Sequence, residues 1–132
     1  MTPRLMVLFN HRLTAFQKKD ARESLGVDSF LEPPEEIRLI WSRIPPKLED
    51  LSDYLHPVNR WISEKARQGD YLLVQGDFGA TCMMVRFAFR SGLIPVYSTT
   101  QRDAEEIQCP NGDVRLVHTF RHVRYRGYEE AS

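Results

Sequence analysis

A chain of 132 residues, 42% hydrophobic and 27% charged, holds enough apolar side chain for one core and leaves no room for a second domain of ordinary size. Its 18 basic residues balance 18 acidic ones, which excludes bulk attraction to duplex nucleic acid or an anionic membrane and makes any anion site a local one. Cys82 and Cys109 suggest neither a disulfide framework nor a metal quartet, and no apolar run nears the roughly 20 residues that span a bilayer, so a soluble, cytoplasmic protein is expected.

Leu5-Met6-Val7-Leu8-Phe9 is a continuous apolar run ending at Asn10-His11, the pattern of a central strand covered on both faces. Thr14 and Gln17 have the spacing of a capping box, so a helix is predicted from there to about Leu25, stopped by Gly26. Residues 27–31 supply a short strand. Pro33-Pro34 open a helix whose Ile37, Ile40, Trp41 and Ile44 share one face, and Pro45-Pro46 end it. Leu48, Leu51, Leu55, Val58 and Trp61 or Ile62 continue at helical spacing, with Pro57 kinking the run or dividing it. A strand over 71–75, a helix to about Ser91 stopped by Gly92, and an apolar strand over 93–97 ending in Ser98-Thr99-Thr100 follow. Such alternation predicts an α/β fold, a mostly parallel, doubly wound sheet with helices on both faces. Residues 105–109, Asn111-Gly112 and residues 113–125 read as an antiparallel hairpin with a tight primed turn, added at one edge. Its second arm carries Arg115, Arg121, Arg124 and Arg126 with His118 and His122; an arginine-rich edge strand also serves simply to block sheet-to-sheet association.

The stretch from Gln75 through Gly76, Asp77, Phe78, Gly79, Ala80 and Thr81 joins a strand to a helix through a turn with two glycines. Glycines there let a ligand approach main-chain N–H groups, and the first amides of a helix, with the helix dipole, favour a phosphate. The stretch matches neither the dinucleotide fingerprint nor a Walker A loop, and a plain tight turn capped by Asp77 is the competing reading.

In an open parallel sheet, ligands bind beyond the carboxyl ends of the strands, where strand order reverses. Three polar segments are expected to meet there: Asn10-His11, residues 75–81, and Ser98-Thr99-Thr100 with Arg102. They offer amides, hydroxyls, a carboxylate, an imidazole and a guanidinium, a set suited to a phosphorylated, ribose-bearing ligand. Asp77 repels phosphate at close range, so it caps the helix or meets a sugar hydroxyl or base amine, a magnesium ligand being disfavoured by the lack of a partner acid nearby. An imidazole is the side chain intrinsically suited to proton transfer near neutrality, so His11 is a candidate for that role, or is a solvent-facing loop residue. Phe78 stacks on a base or buries itself locally.

Leu8-Phe9-Asn10-His11 with Leu13-Thr14, Leu25-Gly26-Val27, the 75–81 turn, the run Ile94-Pro95-Val96-Tyr97-Ser98-Thr99-Thr100 and the closing His122-Val123-Arg124-Tyr125 carry a resemblance over nearly the whole chain. They resemble a small, stand-alone CRISPR-associated protein family of type III systems. The resemblance implies a Rossmann-like, CARF-like domain (the kind that senses cyclic oligoadenylate) and a ring nuclease that opens cyclic tetra-adenylate and switches off antiviral signalling.

That implied ligand is two-fold symmetric, so a homodimer with equivalent strand ends facing each other is expected. Ring opening needs the 2′-hydroxyl to attack the adjacent phosphorus in line, and requires neither metal nor cofactor in principle. His11 is the first candidate for base or acid, with Asp77 and Arg102 beside it. The amides of 79–81, with Ser98 and Arg102, would stabilise phosphate charge, worth roughly 3 kcal/mol per well-placed donor. Asn10, Gln75, Gly76, Phe78, Thr99 and Thr100 would line the ligand, and Arg121, His122 and Arg124 would reach it from the tail or a partner chain. A binding-only sensor and a ribonuclease acting on linear RNA remain the competing classes.

Overall fold

The computed structural model describes residues 2–130. Strand β1 (Arg4–Leu8) is the centre of the fold, its Leu5, Met6, Val7 and Leu8 all 1% exposed or less, as a strand covered on both faces requires. The predicted capping box forms at α1 (Ala15–Asp20): Gln17 N–H donates to Thr14 Oγ1 at 3.1 Å and Thr14 N–H donates to Gln17 Oε1 at 2.9 Å. The helix continues as a π-helical turn over Ala21–Leu25, and Gly26 ends it at φ 72°. Next come β2 (Ser29–Leu31), α2 (Glu35–Ser42), α3 (His56–Lys65), β3 (Tyr71–Val74), α4 (Phe78–Arg90), β4 (Ile94–Gln108) and β5 (Val114–Gly127).

The sheet order is β2-β1-β3-β4-β5, parallel across the first four strands and antiparallel between β4 and β5. The chain is therefore a mixed α/β protein with a mostly parallel sheet and a C-terminal antiparallel hairpin. Strand order reverses between β1 and β3, because β2 lies on one side of β1 and every later strand on the other. One face of the sheet is sealed by an apolar cluster in which Met6, Leu8, Leu72 and Val74 meet Trp41, Val58, Ile62 and Met84 from α2, α3 and α4. The other face, with Leu5, Val7, Leu73, Val96 and Tyr125, is closed by Ala21 and Leu13 on and before the first helix.

At the amino edge of the sheet, Asp70 is 2% exposed and accepts from Arg4 N, Arg4 Nε, Arg4 Nη2 and Arg67 N at 3.0, 3.3, 2.9 and 2.9 Å. Burial alone would raise its pKa, but these hydrogen bonds and the Arg4 charge hold it below the usual 3.8.

Three sequence expectations change. The helix expected from Leu48 begins only at His56: residues 43–55 are turns and irregular chain, and Pro57 stands in the first turn of α3, where its missing N–H has no partner to lose, instead of kinking a longer helix. Ser98, Thr99 and Thr100 do not end a strand, since β4 runs on to Gln108 and pairs with β5 throughout, while β3 pairs with it only at Ile94, Pro95 and Val96. Beyond Ser98 the two strands project roughly 30 Å as a two-stranded arm. The hairpin turn is not the primed two-residue type. Only glycines have positive φ among the described residues, so Asn111 cannot take the first position of such a turn. The chain instead closes through Gly112 N–H to Cys109 O at 3.0 Å and Cys109 N–H to Asp113 O at 2.7 Å, with Gly112 at φ 89°.

Candidate functional site

The carboxyl edge of the sheet collects the ends of β1 and β3 on either side of the strand-order reversal. Gln75 N–H donates to Leu8 O at 3.1 Å, so the two strands stay joined to their last residues before the chain diverges into Asn10-His11 on one side and the 75–79 turn on the other. Main-chain carbonyls left over at this edge are taken by aromatic side chains: Trp41 Nε1–H donates to Gln75 O at 2.9 Å and Tyr128 O–H to Val74 O at 2.7 Å. The Gln75 side chain then extends the β3–β4 ladder, accepting from Ser98 N at 2.8 Å and donating to Ser98 O at 3.5 Å.

Gly76 is required by packing: a Cβ there would lie 2.9 Å from Trp41 Nε1. Its smallness admits the indole and so fixes the turn. Gly79 is different, since a Cβ at that position meets nothing closer than 3.5 Å. Asp77 caps α4, its Oδ2 accepting from Ala80 N at 3.0 Å and its carbonyl from Thr81 N at 2.8 Å. Of the amides over 79–81, two are thus engaged within the chain. The N–H groups of Phe78 and Gly79 have no acceptor among the described residues, as expected ahead of the first helical bond. Ala80 is fully buried, the Thr81 hydroxyl is buried with no partner among the described residues, and Phe78 is 95% exposed.

Asn10 and His11 are exposed, and His11 sits edge-on to Phe9 at 5.4 Å. They line a cavity of about 420 Å³ with Arg12 and Arg38 as its cations and Glu32 and Glu35 as its acids. Arg102 lies far along the arm, where its Nε–H donates to His118 Nδ1 at 3.2 Å. Among the described residues no hydrogen bond or ion pair links His11, Asp77 and Arg102 to one another. Arg121 pairs with Asp103 at 3.3 Å on the arm, and Arg124 N–H donates to Thr99 Oγ1 at 3.2 Å, holding Thr99 in the ladder. Thr100 is exposed opposite His122.

A buried polar cluster lies under α1, and only part of it was expected from sequence. A register shift between Thr99 and Thr100 leaves Val123 unpaired, so His122, opposite Thr100, and Tyr125, opposite Ser98, face the same side although three residues apart. That bulge turns His122 inward. Its Nδ1 is 2.5 Å from Ser98 Oγ and its Nε2 is 2.7 Å from Asp20 Oδ2, with Ser98 4% and His122 7% exposed. With Nε2–H donating to the carboxylate, Nδ1 of the neutral ring accepts the Ser98 hydroxyl proton. Gln17 Nε2–H donates to Ser98 Oγ at 3.5 Å while the Gln17 main-chain carbonyl accepts from Tyr125 O–H at 2.9 Å. Burial first, and the nearby Asp20 charge second, push the Tyr125 phenol well above its ordinary 10.0. Serine, histidine and aspartate stand here in the order of a nucleophilic triad. The serine is sealed beneath the helix, so the chain of bonds fastens α1 to the β4–β5 bulge.

A mostly parallel five-stranded sheet with helices packed against its faces and a C-terminal antiparallel hairpin defines a mixed α/β protein. Within that class the chain belongs to the family described as the uncharacterized protein MJ1673 family, which it matches over residues 3–126. It is 44% identical over 126 residues to the uncharacterized protein MJ1673 of Methanocaldococcus jannaschii, covering 96% of this chain and 97% of that one. No solved structure matches the chain. No helix among the described residues is long and apolar enough to cross a membrane.

Proposed function

We propose that the protein binds a cyclic oligoadenylate, of the size of cyclic tetra-adenylate, across the carboxyl edge of its parallel strands and opens the ring without metal or cofactor, ending type III CRISPR signalling. The observation that carries this reading is the reversal of strand order between β1 and β3, which brings the Asn10-His11 loop beside the turn that leads into α4. The two free amides at Phe78 and Gly79 suit a phosphate, and the exposed Phe78 ring suits an adenine face. In the reaction the ribose 2′-oxygen bonds to the adjacent phosphorus, the bond from phosphorus to the 5′-oxygen breaks, and a linear product with a cyclic 2′,3′-phosphate results. His11 takes the 2′-hydroxyl proton, and the leaving 5′-oxygen gains one from a donor at the same edge. Arg102 and the arginines at 121 and 124 reach the ring from the arm of a partner copy, which makes the working unit a homodimer.

A second reading, a protein that sequesters the intact ring, is favoured by one observation: the Asp77 carboxylate is already used as a helix cap and shares no contact with His11 or Arg102. The two separate in one assay. Purified protein is incubated with excess cyclic tetra-adenylate and a chelator, and the products are resolved; many turnovers to linear product support the nuclease, and tight retention of intact ring supports the sequestering protein. Equal cleavage of a generic linear RNA would replace both with a ribonuclease. His11→Ala is expected to slow turnover by roughly 10²–10⁴-fold with the dissociation constant nearly unchanged. Wild-type rates in that variant would take His11 out of the mechanism.

A further inference from the structure

The outward side of α4 carries Phe78, Cys82, Val85 and Phe89 at intervals of four, three and four residues, the spacing of a seam between two helices. Phe78 is 95% exposed and Cys82 is exposed, so nothing among the described residues covers the start of this seam. The seam forms one wall of a groove of about 800 Å³, and the segment after β5 brings Glu129 and Glu130 into the same groove. Arg86 and Arg90 line it as well, one turn apart on α4. Like charges at that spacing repel, yet among the described residues neither arginine and neither glutamate is in an ion pair. The groove thus offers an apolar strip, an unneutralised basic pair and an unneutralised acidic pair. A surface that carries its own complement is what a two-fold contact between identical chains needs.

We propose that this groove is where a second copy of the chain docks, α4 against α4 about a two-fold axis running along the helices, with Arg86 and Arg90 of each copy meeting Glu129 and Glu130 of the other. The orientation rests on the cyclic-ligand reading, which requires two carboxyl edges side by side. An axis along α4 sets the two Phe78 rings together at that edge and Cys82 opposite its own counterpart. The arm also exposes Val114, Leu116 and Phe120, and docking through it is the competing arrangement that the charge reversals below separate from this one.

The test uses the full chain. A short bis-maleimide should link two copies through Cys82, the product surviving Cys109→Ser and vanishing in Cys82→Ser. Arg86→Glu with Arg90→Glu, and separately Glu129→Lys with Glu130→Lys, should each weaken self-association at least tenfold by sedimentation. Mixing the two variants should restore it, because every charge in the mixed pair is then opposed by its opposite. A wild-type chain that stays monomeric, or a dimer indifferent to both reversals, overturns the proposal, the latter pointing to the arm. Cyclic tetra-adenylate binding is measured in parallel: a Cys82-linked dimer that ignores the ring keeps the docking surface and removes the ligand reading, while a monomer that binds the ring does the reverse.

Discussion

The two faces of the sheet are closed by different physics. On the α2, α3 and α4 side, buried aliphatic and aromatic side chains interlock, and Trp41, Val58, Ile62, Leu72 and Met84 are all at or below 2% exposed. On the α1 side the apolar contact is smaller, and Gln17, Ser98, His122 and Asp20 form a connected polar layer between helix and hairpin. Apolar burial is non-directional and tolerates repacking, whereas a buried hydrogen-bonded layer holds only when every member is present. The first face therefore supplies stability, and the second sets where α1 and the base of the arm sit relative to the carboxyl edge.

The largest effect is expected on the apolar face. Met84 is 1% exposed within the cluster, and Met84→Ala should cost about 2–5 kcal/mol in chemical denaturation, through lost transfer energy and the cavity left behind. A cost under 1 kcal/mol would mean that α4 packs loosely, and the division between the faces would fail.

A smaller but more instructive loss is expected on the polar face. His122→Ala strands the Ser98 hydroxyl and leaves the Asp20 carboxylate without its donor, a cost of about 1–3 kcal/mol. Replacing all three, with Ser98→Ala, His122→Phe and Asp20→Ala, removes the unmatched groups together and should be less destabilising than the single change. Strictly additive losses would show that the three act as separate surface contacts. The test has a second readout: if the layer positions the hairpin, His122→Ala should shift signals along the arm and leave those of α3 in place.

The difference between the faces also marks what could be read from the chain. Local chemistry was legible: the Thr14–Gln17 capping box and the Gly26 stop formed as spacing demanded, and the parallel order followed from alternating strands and helices. The apolar face was legible too, because Ile37, Trp41, Val58 and Ile62 announce it by period. The polar layer was not. Ser98 and His122 lie 24 residues apart and His122 and Asp20 lie 102 apart, and their meeting depends on a bulge that no propensity signals. Nothing in the sequence pattern singles out Asp20, and Gln17 enters the sequence reading only through its capping box with Thr14. At the candidate site, Asn10, His11 and the 75–79 turn were placed by the strand pattern, while Arg102 was misjudged as lying near a strand end because alternation cannot say how far a hairpin extends. Gly76 shows a similar limit, since its fit against Trp41 depends on a residue from a different helix, distant in sequence.

The smallest effect separates two tyrosines that cap the two faces. Tyr128 donates to Val74 O beside the apolar cluster, and Tyr125 donates to Gln17 O within the polar layer. Both phenols are raised above 10.0 chiefly by burial, the second contribution coming from Tyr97 for Tyr128 and from Asp20 for Tyr125. A phenol whose pKa is higher in the folded state than in the unfolded one contributes stability that is fully present below the unfolded value and fades as pH rises toward the folded one. Stability should therefore decline above about pH 10, and Tyr125→Phe, which costs about 1 kcal/mol near neutrality, should flatten part of that decline. Asp20→Asn discriminates further: it should lower the Tyr125 titration in a spectrophotometric pH scan and leave Tyr128 where it was. If both tyrosines moved together, the Asp20 charge would be acting on the whole fold and not on one face, and the separation between an apolar and a polar closure would lose its electrostatic half.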